Sequence, residues 1–203
     1  KATQGDVQAA NCHPFQREWL GRTWVFAHNG DLGRFEAPMT CQDMPVGTTD
    51  SERAFCALMS RLRQHFKDRQ QPPEWSELAP VLSAIVGDLA QHGNLNMLLS
   101  DGHALYVHCS THLHQLARHH PFPKARLVDC DMSLDLGPLN AEGDVMTLLA
   151  TEPLTVDEPW QALRTGEFRV YVDGQEVWRE LNPKTQAFAA AERVLPKGSL
   201  RAF

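Results

Sequence analysis

The sequence predicts an α+β fold, on three observations. Two amphipathic helical segments follow one another directly between Asp50 and His92, the remaining apolar runs have strand length, and Asp-Gly pairs at 101–102 and 173–174 join neighbouring strands as antiparallel hairpins. A doubly wound parallel sheet would instead alternate strand and helix along the whole chain. At 203 residues and 22.8 kDa, one domain with one core is the default.

The elements follow in order. The opening residues read as a loop, "GDVQAANCHPF", before a strand at about Thr23 to His28. Its unbroken apolar run, Trp24 to Ala27, suits a sheet covered on both faces. A polar loop, Gly30 to Thr48, leads to a helix from Asp50 to about Phe66. Phe55, Leu58, Met59, Leu62 and Phe66 share one face of it, with Arg53, Arg61, Arg63 and Gln64 largely off it. The segment "KDRQQPPE" ends that helix. A second runs from about Ser76, as N-cap, to His92, with Gly93 as C-cap and Pro80 near its first turn. "NLNMLLSDGHALYVHCS" then reads as a hairpin about Asp101-Gly102, with further strands at Ala125 to Cys130, Val145 to Thr151 and Phe168 to Val172, the last turning at Asp173-Gly174 into "QEVWRE". "TQAFAAAERVL" is a helical stretch within the tail, Asn182 to Phe203.

Composition excludes several classes. A net charge of −6 with 19 scattered Lys and Arg lacks the basic footprint of a nucleic-acid partner. No apolar run reaches the roughly 18–20 residues of a membrane span. Five cysteines with no CxxC spacing favour reduced thiols and a cytoplasmic protein, with Cys56 and Cys109 in the core. The ten histidines include "HCSTHLHQLARHHP", but without Cys or acidic ligands in zinc spacing these are expected to be surface or hairpin residues, and neither a metal nor another cofactor is expected.

Chemistry concentrates in three places. Asn29-Gly30 ends the first strand: such a pair is most often a type I′ turn, yet a side-chain NH₂ and a backbone N–H at the end of a rigid strand also make a two-donor oxyanion hole. In "NCHPF", Pro14 holds His13 extended and fixes the direction of its side chain. In "VGTTDSERAF", Thr49 and Glu52 have the spacing of a capping box. Asp50 adds a carboxylate that suits either the helix dipole or a ligand ammonium group.

Taken in order, "KATQG", "NCHPFQREWLGR", "AHNG", "PVGTTDSERAFC", "NMLLSDG" and "CSTHLH" resemble the class II glutamine amidotransferase domain, an N-terminal-nucleophile hydrolase, in its small stand-alone bacterial form. The resemblance covers about Lys1 to Val177 and assigns residues 1–181 to that domain and 182–203 to a C-terminal tail. It implies a four-layer αββα sandwich and hydrolysis of the glutamine γ-amide through a cysteine thioester, giving glutamate and ammonia. By the same resemblance Asn29 and Gly30 form the oxyanion hole, and Asp50 binds the α-ammonium. The loop of Thr3 lies beside the α-carboxylate, and His13 belongs to the pocket wall. The family's nucleophile is a cysteine at the mature amino terminus whose own amine is the base, and its carboxylate-binding arginine directly precedes the position of Lys1. Both are therefore expected ahead of this chain, along with the first strands of one sheet. None of the five cysteines here stands at the nucleophile's position.

Two alternatives stand beside that reading. One is hydrolysis of a γ-glutamyl peptide or conjugate; the other is a non-catalytic protein that retains the fold. With no synthase domain after Val177, a separate ammonia-accepting synthase subunit is the partner to be expected.

Overall fold

The computed structural model describes residues 7–33, 35–36 and 42–194. Phe15–Trp19 (β1) and Arg22–Asn29 (β2) form a hairpin, two helices follow at Asp50–His65 (α1) and Trp75–Leu89 (α2), and the hairpin of Asn96–Ser100 (β3) and Leu105–His108 (β4) returns to the sheet. Five further strands are short or peripheral: His114–His119 (β5), Lys124–Arg126 (β6), Ser133–Asp135 (β7), Val145–Ala150 (β8) and Gln161–Ala162 (β9). Glu167–Val172 (β10) and Gln175–Leu181 (β11) complete the main sheet, and Pro183–Val194 is a helix (α3). The main sheet is antiparallel throughout, in the order β1-β2-β3-β4-β10-β11. A three-stranded sheet, β8-β5-β9, and the β6-β7 pair stand apart from it.

The alternation of β2 decides where the core lies. Trp24, Phe26 and His28 point to the helices, where Phe26 stacks on Phe55 of α1 at 5.0 Å and Trp24 on Tyr106 of β4 at 6.2 Å. Helix α1 is buried beyond its apolar face because the segment 42–47 covers it: Arg63 pairs with Asp43, and Gln42 N–H donates to Ser60 Oγ. On the opposite face of the sheet, Val107, Cys109 and Tyr171 form a second apolar cluster with Leu113, Leu163 and Leu149, which come from the three-stranded sheet and its connections. Tyr171 O–H donates to Gln115 of β5 at 2.6 Å. The described residues thus stack helices, a six-stranded sheet and a smaller sheet, an antiparallel α+β arrangement.

Several sequence expectations need correction. Val25 and Ala27, expected to be covered, are only half-buried, because the smaller sheet packs over β3, β4 and β10 rather than over β2. Strand β1 lay inside a region read as loop; its two-residue link to β2, Leu20-Gly21, takes φ of 48° and 74° without the usual Asn or Asp. The α2 N-cap is Glu74, reciprocally bonded with Glu77, and Ser76 sits inside the helix. Asp101-Gly102 belongs to a four-residue loop in which the Asp101 carboxylate receives the N–H groups of His103 and Ala104 and pairs with Arg22. His108, grouped with the surface histidines, is fully buried. The 3₁₀ turn Ala90–His92 follows α2 and ends on Gly93.

Helix α3 is held to α2 by Asn182, whose Nδ2 donates to the Ser83 carbonyl at 2.8 Å, and by a Lys184–Asp88 ion pair. Thr185 meets His108 Nε2 at 3.1 Å.

Candidate active site at the end of the second strand

Three loops close on the C-terminal end of β2. Asn11 and Thr48 bond reciprocally: Nδ2 donates to Thr48 Oγ1 at 3.2 Å, and Thr48 N–H donates to Oδ1 at 2.9 Å. This docks the His13 loop on the Asp50 loop. A Cβ at Gly47 would stand 2.3 Å from Asn11 Oδ1 and 2.6 Å from the Ala10 carbonyl, so only glycine permits the approach. His13 itself is exposed, its peptide bond to Pro14 is cis, and its ring lies edge-on to Phe15 at 4.7 Å. Partial burial and the neighbouring His28 lower its pKa, and Asp50 opposes them.

Asp50 is the first residue of α1. Its Oδ2 receives Leu32 N–H at 2.6 Å and its Oδ1 receives Ser51 N–H at 2.8 Å, so the carboxylate fastens the chain leaving β2 to the helix start. Thr49 caps the helix through Glu52 N–H. The expected capping box is only half made, because the buried Glu52 carboxylate turns instead to Val46 N–H, Gly47 N–H and Arg17. Those donors hold it below its usual pKa despite burial. The carboxylate thereby shapes the loop that delivers Asp50.

The pair Asn29-Gly30 is not a hairpin turn. The two neighbours of β2 in the sheet are β1, which precedes it, and β3, which is reached only after the two helices, so the pair joins no adjacent strands, and Gly30 adopts φ 153°. A Cβ at Gly30 would stand 2.1 Å from the Asn94 carbonyl. Both residues are exposed. Among the described residues the Asn29 side-chain amide and the Gly30 N–H have no hydrogen-bond partner, so two donors remain free at one point.

Beneath this point lies a buried polar layer that the sequence did not single out. His28 Nε2 lies 2.9 Å from the Asn94 carbonyl, which only accepts; Nε2 therefore carries the proton, and Nδ1 accepts from Ser51 Oγ at 2.9 Å. Burial lowers the His28 pKa against the pull of that carbonyl, Asp50 and Asp31, which favours this neutral form. Asn96, paired in register with Asn29, donates to the Asn29 carbonyl at 3.1 Å and to Thr111 Oγ1 at 2.8 Å, and accepts from Ser110 and Thr111 N–H at 3.0 Å each. The available signal was adjacency: His28 and Asn96 stand inside "AHNG" and "NMLLSDG".

Thr3 lies outside the described residues, as does Cys41. Burial raises the thiol pKa of Cys56, and pushes that of Cys109 up to about 11, which argues against either as a nucleophile. Cys12 and Cys130 are exposed. Among the described residues no three His, Cys, Asp or Glu side chains gather as a metal site would require, and no helix is long and apolar enough to cross a membrane. A separate hollow, lined by His103, Thr147, Tyr171 and Asp173 among others, lies by the Asp101-Gly102 loop at the far end of β3 from Asn96.

Residues 1–194 match the family model described as glutamine amidotransferases class-II, and the chain belongs to that family. It is 40% identical over 177 residues to the Escherichia coli protein named "Putative glutamine amidotransferase YafJ", covering 87% of this chain and 69% of that protein. A Haemophilus influenzae protein of similar name also matches at 40%, over 59% of its own length. The solved structure of a predicted glutamine amidotransferase from Pseudomonas aeruginosa PA01 superposes with a TM-score of 0.76 at 40% identity, covering 84% of this chain and 66% of that one. The chain thus spans about two-thirds of the length of these relatives, or somewhat less.

Proposed function

We propose that this chain carries the amide-hydrolysing site of a class II glutamine amidotransferase, releasing ammonia and glutamate from glutamine. The observation that carries the reading is the pair of free donors at Asn29 and Gly30, mounted on a buried polar layer beside Asp50 and His13. In this mechanism a thiolate attacks the γ-carbonyl carbon, and the Asn29 NH₂ and Gly30 N–H receive the negative charge that moves to oxygen. Collapse of that tetrahedral species expels ammonia and leaves a thioester, which water cleaves to glutamate. Asp50 holds the substrate's α-ammonium, and His13 belongs to the pocket wall.

The nucleophile is the cysteine that the family places at the mature amino terminus, its amine serving as base. The unfavourable pKa shifts of Cys56 and Cys109 support looking beyond the described thiols. In the whole protein the layers described above extend to the αββα sandwich of N-terminal-nucleophile hydrolases. Free thiols suit the cytoplasm, and a separate synthase subunit is the acceptor of the ammonia.

The test uses the protein with its native amino terminus and the glutamine analogue 6-diazo-5-oxo-norleucine. Intact-mass and peptide mapping should find one adduct, on the terminal cysteine, with loss of ammonia release from glutamine. An unmodified protein that releases neither ammonia nor glutamate would refute the reading, and faster turnover of γ-glutamyl peptides than of glutamine would redirect its substrate.

A further inference from the structure

We infer that Asn96 is a positioning residue for the oxyanion hole, acting through the carbonyl of the peptide group that joins Asn29 to Gly30. The inference rests on the amide-hydrolase reading above. It begins from a property of the peptide bond: the carbonyl of Asn29 and the N–H of Gly30 belong to one planar trans unit and point in opposite directions. Whatever fixes the carbonyl also aims the N–H. Asn96 Nδ2 donates to that carbonyl at 3.1 Å.

Asn96 is unusually well anchored for this task. It is 6% exposed, and both halves of its amide are engaged: Nδ2 also donates to Thr111 Oγ1, while Oδ1 accepts from the Ser110 and Thr111 N–H groups. Four bonds to three other residues leave the amide one orientation, since the exchanged assignment would set Oδ1 against the Asn29 carbonyl and Nδ2 against two N–H donors. The Ser110 hydroxyl is itself tied to Leu95, receiving its N–H at 3.0 Å and donating to its carbonyl at 3.2 Å. The anchor therefore belongs to a rigid, satisfied network rather than to a mobile surface group.

The same bond has a second effect. A carbonyl that accepts a hydrogen bond polarises its amide, so the N–H on the other side becomes a stronger donor. Asn96 both directs the Gly30 N–H and strengthens it toward developing negative charge. Gly30 cannot be held from its own side chain, and a Cβ there would stand 2.1 Å from the Asn94 carbonyl, so Asn96 is the one side-chain donor to this peptide among the described residues.

The experiment compares wild type with Asn96→Asp in the protein bearing its native amino terminus. The variant keeps Oδ1 for Ser110 and Thr111 but sets a carboxylate oxygen against the Asn29 carbonyl. Turnover of glutamine should fall roughly ten- to a hundredfold with KM within about threefold, a smaller loss than that of a whole donor. Glutamate γ-semialdehyde, which forms the tetrahedral adduct, should lose affinity in parallel with kcat. A second readout is independent of activity: the Gly30 amide ¹⁵N and ¹H resonances should move in Asn96→Asp, whereas the remote Gly102 amide should not. Unchanged Gly30 resonances, or an active Asn96→Asp enzyme, would overturn the inference while leaving the hydrolase reading intact. An inactive wild type would overturn that reading, and the resonances would still decide whether Asn96 holds the peptide.

Discussion

His28 accepts a hydrogen bond from Ser51 at 2.9 Å through one ring nitrogen while the other donates to the Asn94 carbonyl, also at 2.9 Å. A single buried imidazole thus ties the end of β2 to the first turn of α1 and to the loop that precedes β3. These are the three elements whose relative placement brings Asn29 and Asp50 to the same end of the sheet.

The His28→Ala variant should therefore lose stability by about 1–3 kcal/mol, the scale for leaving buried polar partners unsatisfied, and lose activity with it. Urea denaturation followed by fluorescence measures the first effect. A midpoint equal to wild type would show that the imidazole is not a structural tie.

Stability should decline as pH falls below about 6.5. His108 has its pKa pushed down to about 4 by burial, against the pull of the Leu95 carbonyl it meets at 2.7 Å. The unfolded chain takes up that proton near 6.5 and the native chain only near 4, so the native advantage is complete above 6.5 and gone below 4. That interval is worth about 3 kcal/mol for His108, and the lowered pKa values of His13 and His28 act in the same direction. Urea midpoints collected from pH 7.5 to about 4.5 should flatten in His108→Gln relative to wild type; parallel curves would contradict the assignment.

Asp50→Asn separates holding the loop from holding the substrate. The amide oxygen can still accept Leu32 N–H, though the amide NH₂ then faces Ser51 N–H, and the charge that would attract an α-ammonium is gone. The glutamine KM should rise about ten- to a hundredfold, with kcat little changed, as for loss of a charged hydrogen bond. Steady-state kinetics decide it, and an unaltered KM would remove Asp50 from the substrate site.

The elements that were legible in the sequence are those specified locally. Helix α1 follows its apolar period and Thr49, and the β10–β11 turn follows Asp173-Gly174, whose φ values of 49° and 75° are those of the tight turn its residues favour. Strand β1 escaped because Leu20 occupies a left-handed position that its side chain disfavours, so no turn signal precedes β2. Strand β5 escaped because "HQLARH" alternates weakly, its buried Leu116 and Arg118 looking unlike a pair. Arg118 is buried only because it forms a two-bond pair with Glu158, forty positions away. The same limit applies to the site. As candidates, Asn29, Gly30 and Asp50 are picked out by residue type, whereas the bond from Asn96 reaches a partner 67 positions distant that no local pattern encodes.

If the Asn29-Gly30 pair stabilises an acyl-transfer intermediate, Asn29→Ala in the protein with its native amino terminus should expose it in the rate. The Asn29 side chain is exposed and bonded to no other described residue, so its truncation should leave the fold undisturbed. Turnover of glutamine should fall by roughly 10²- to 10³-fold, the scale for removing one oxyanion donor, with an unchanged thermal midpoint and a KM within a few-fold. A kcat within threefold of wild type would show that Asn29 donates to no oxyanion.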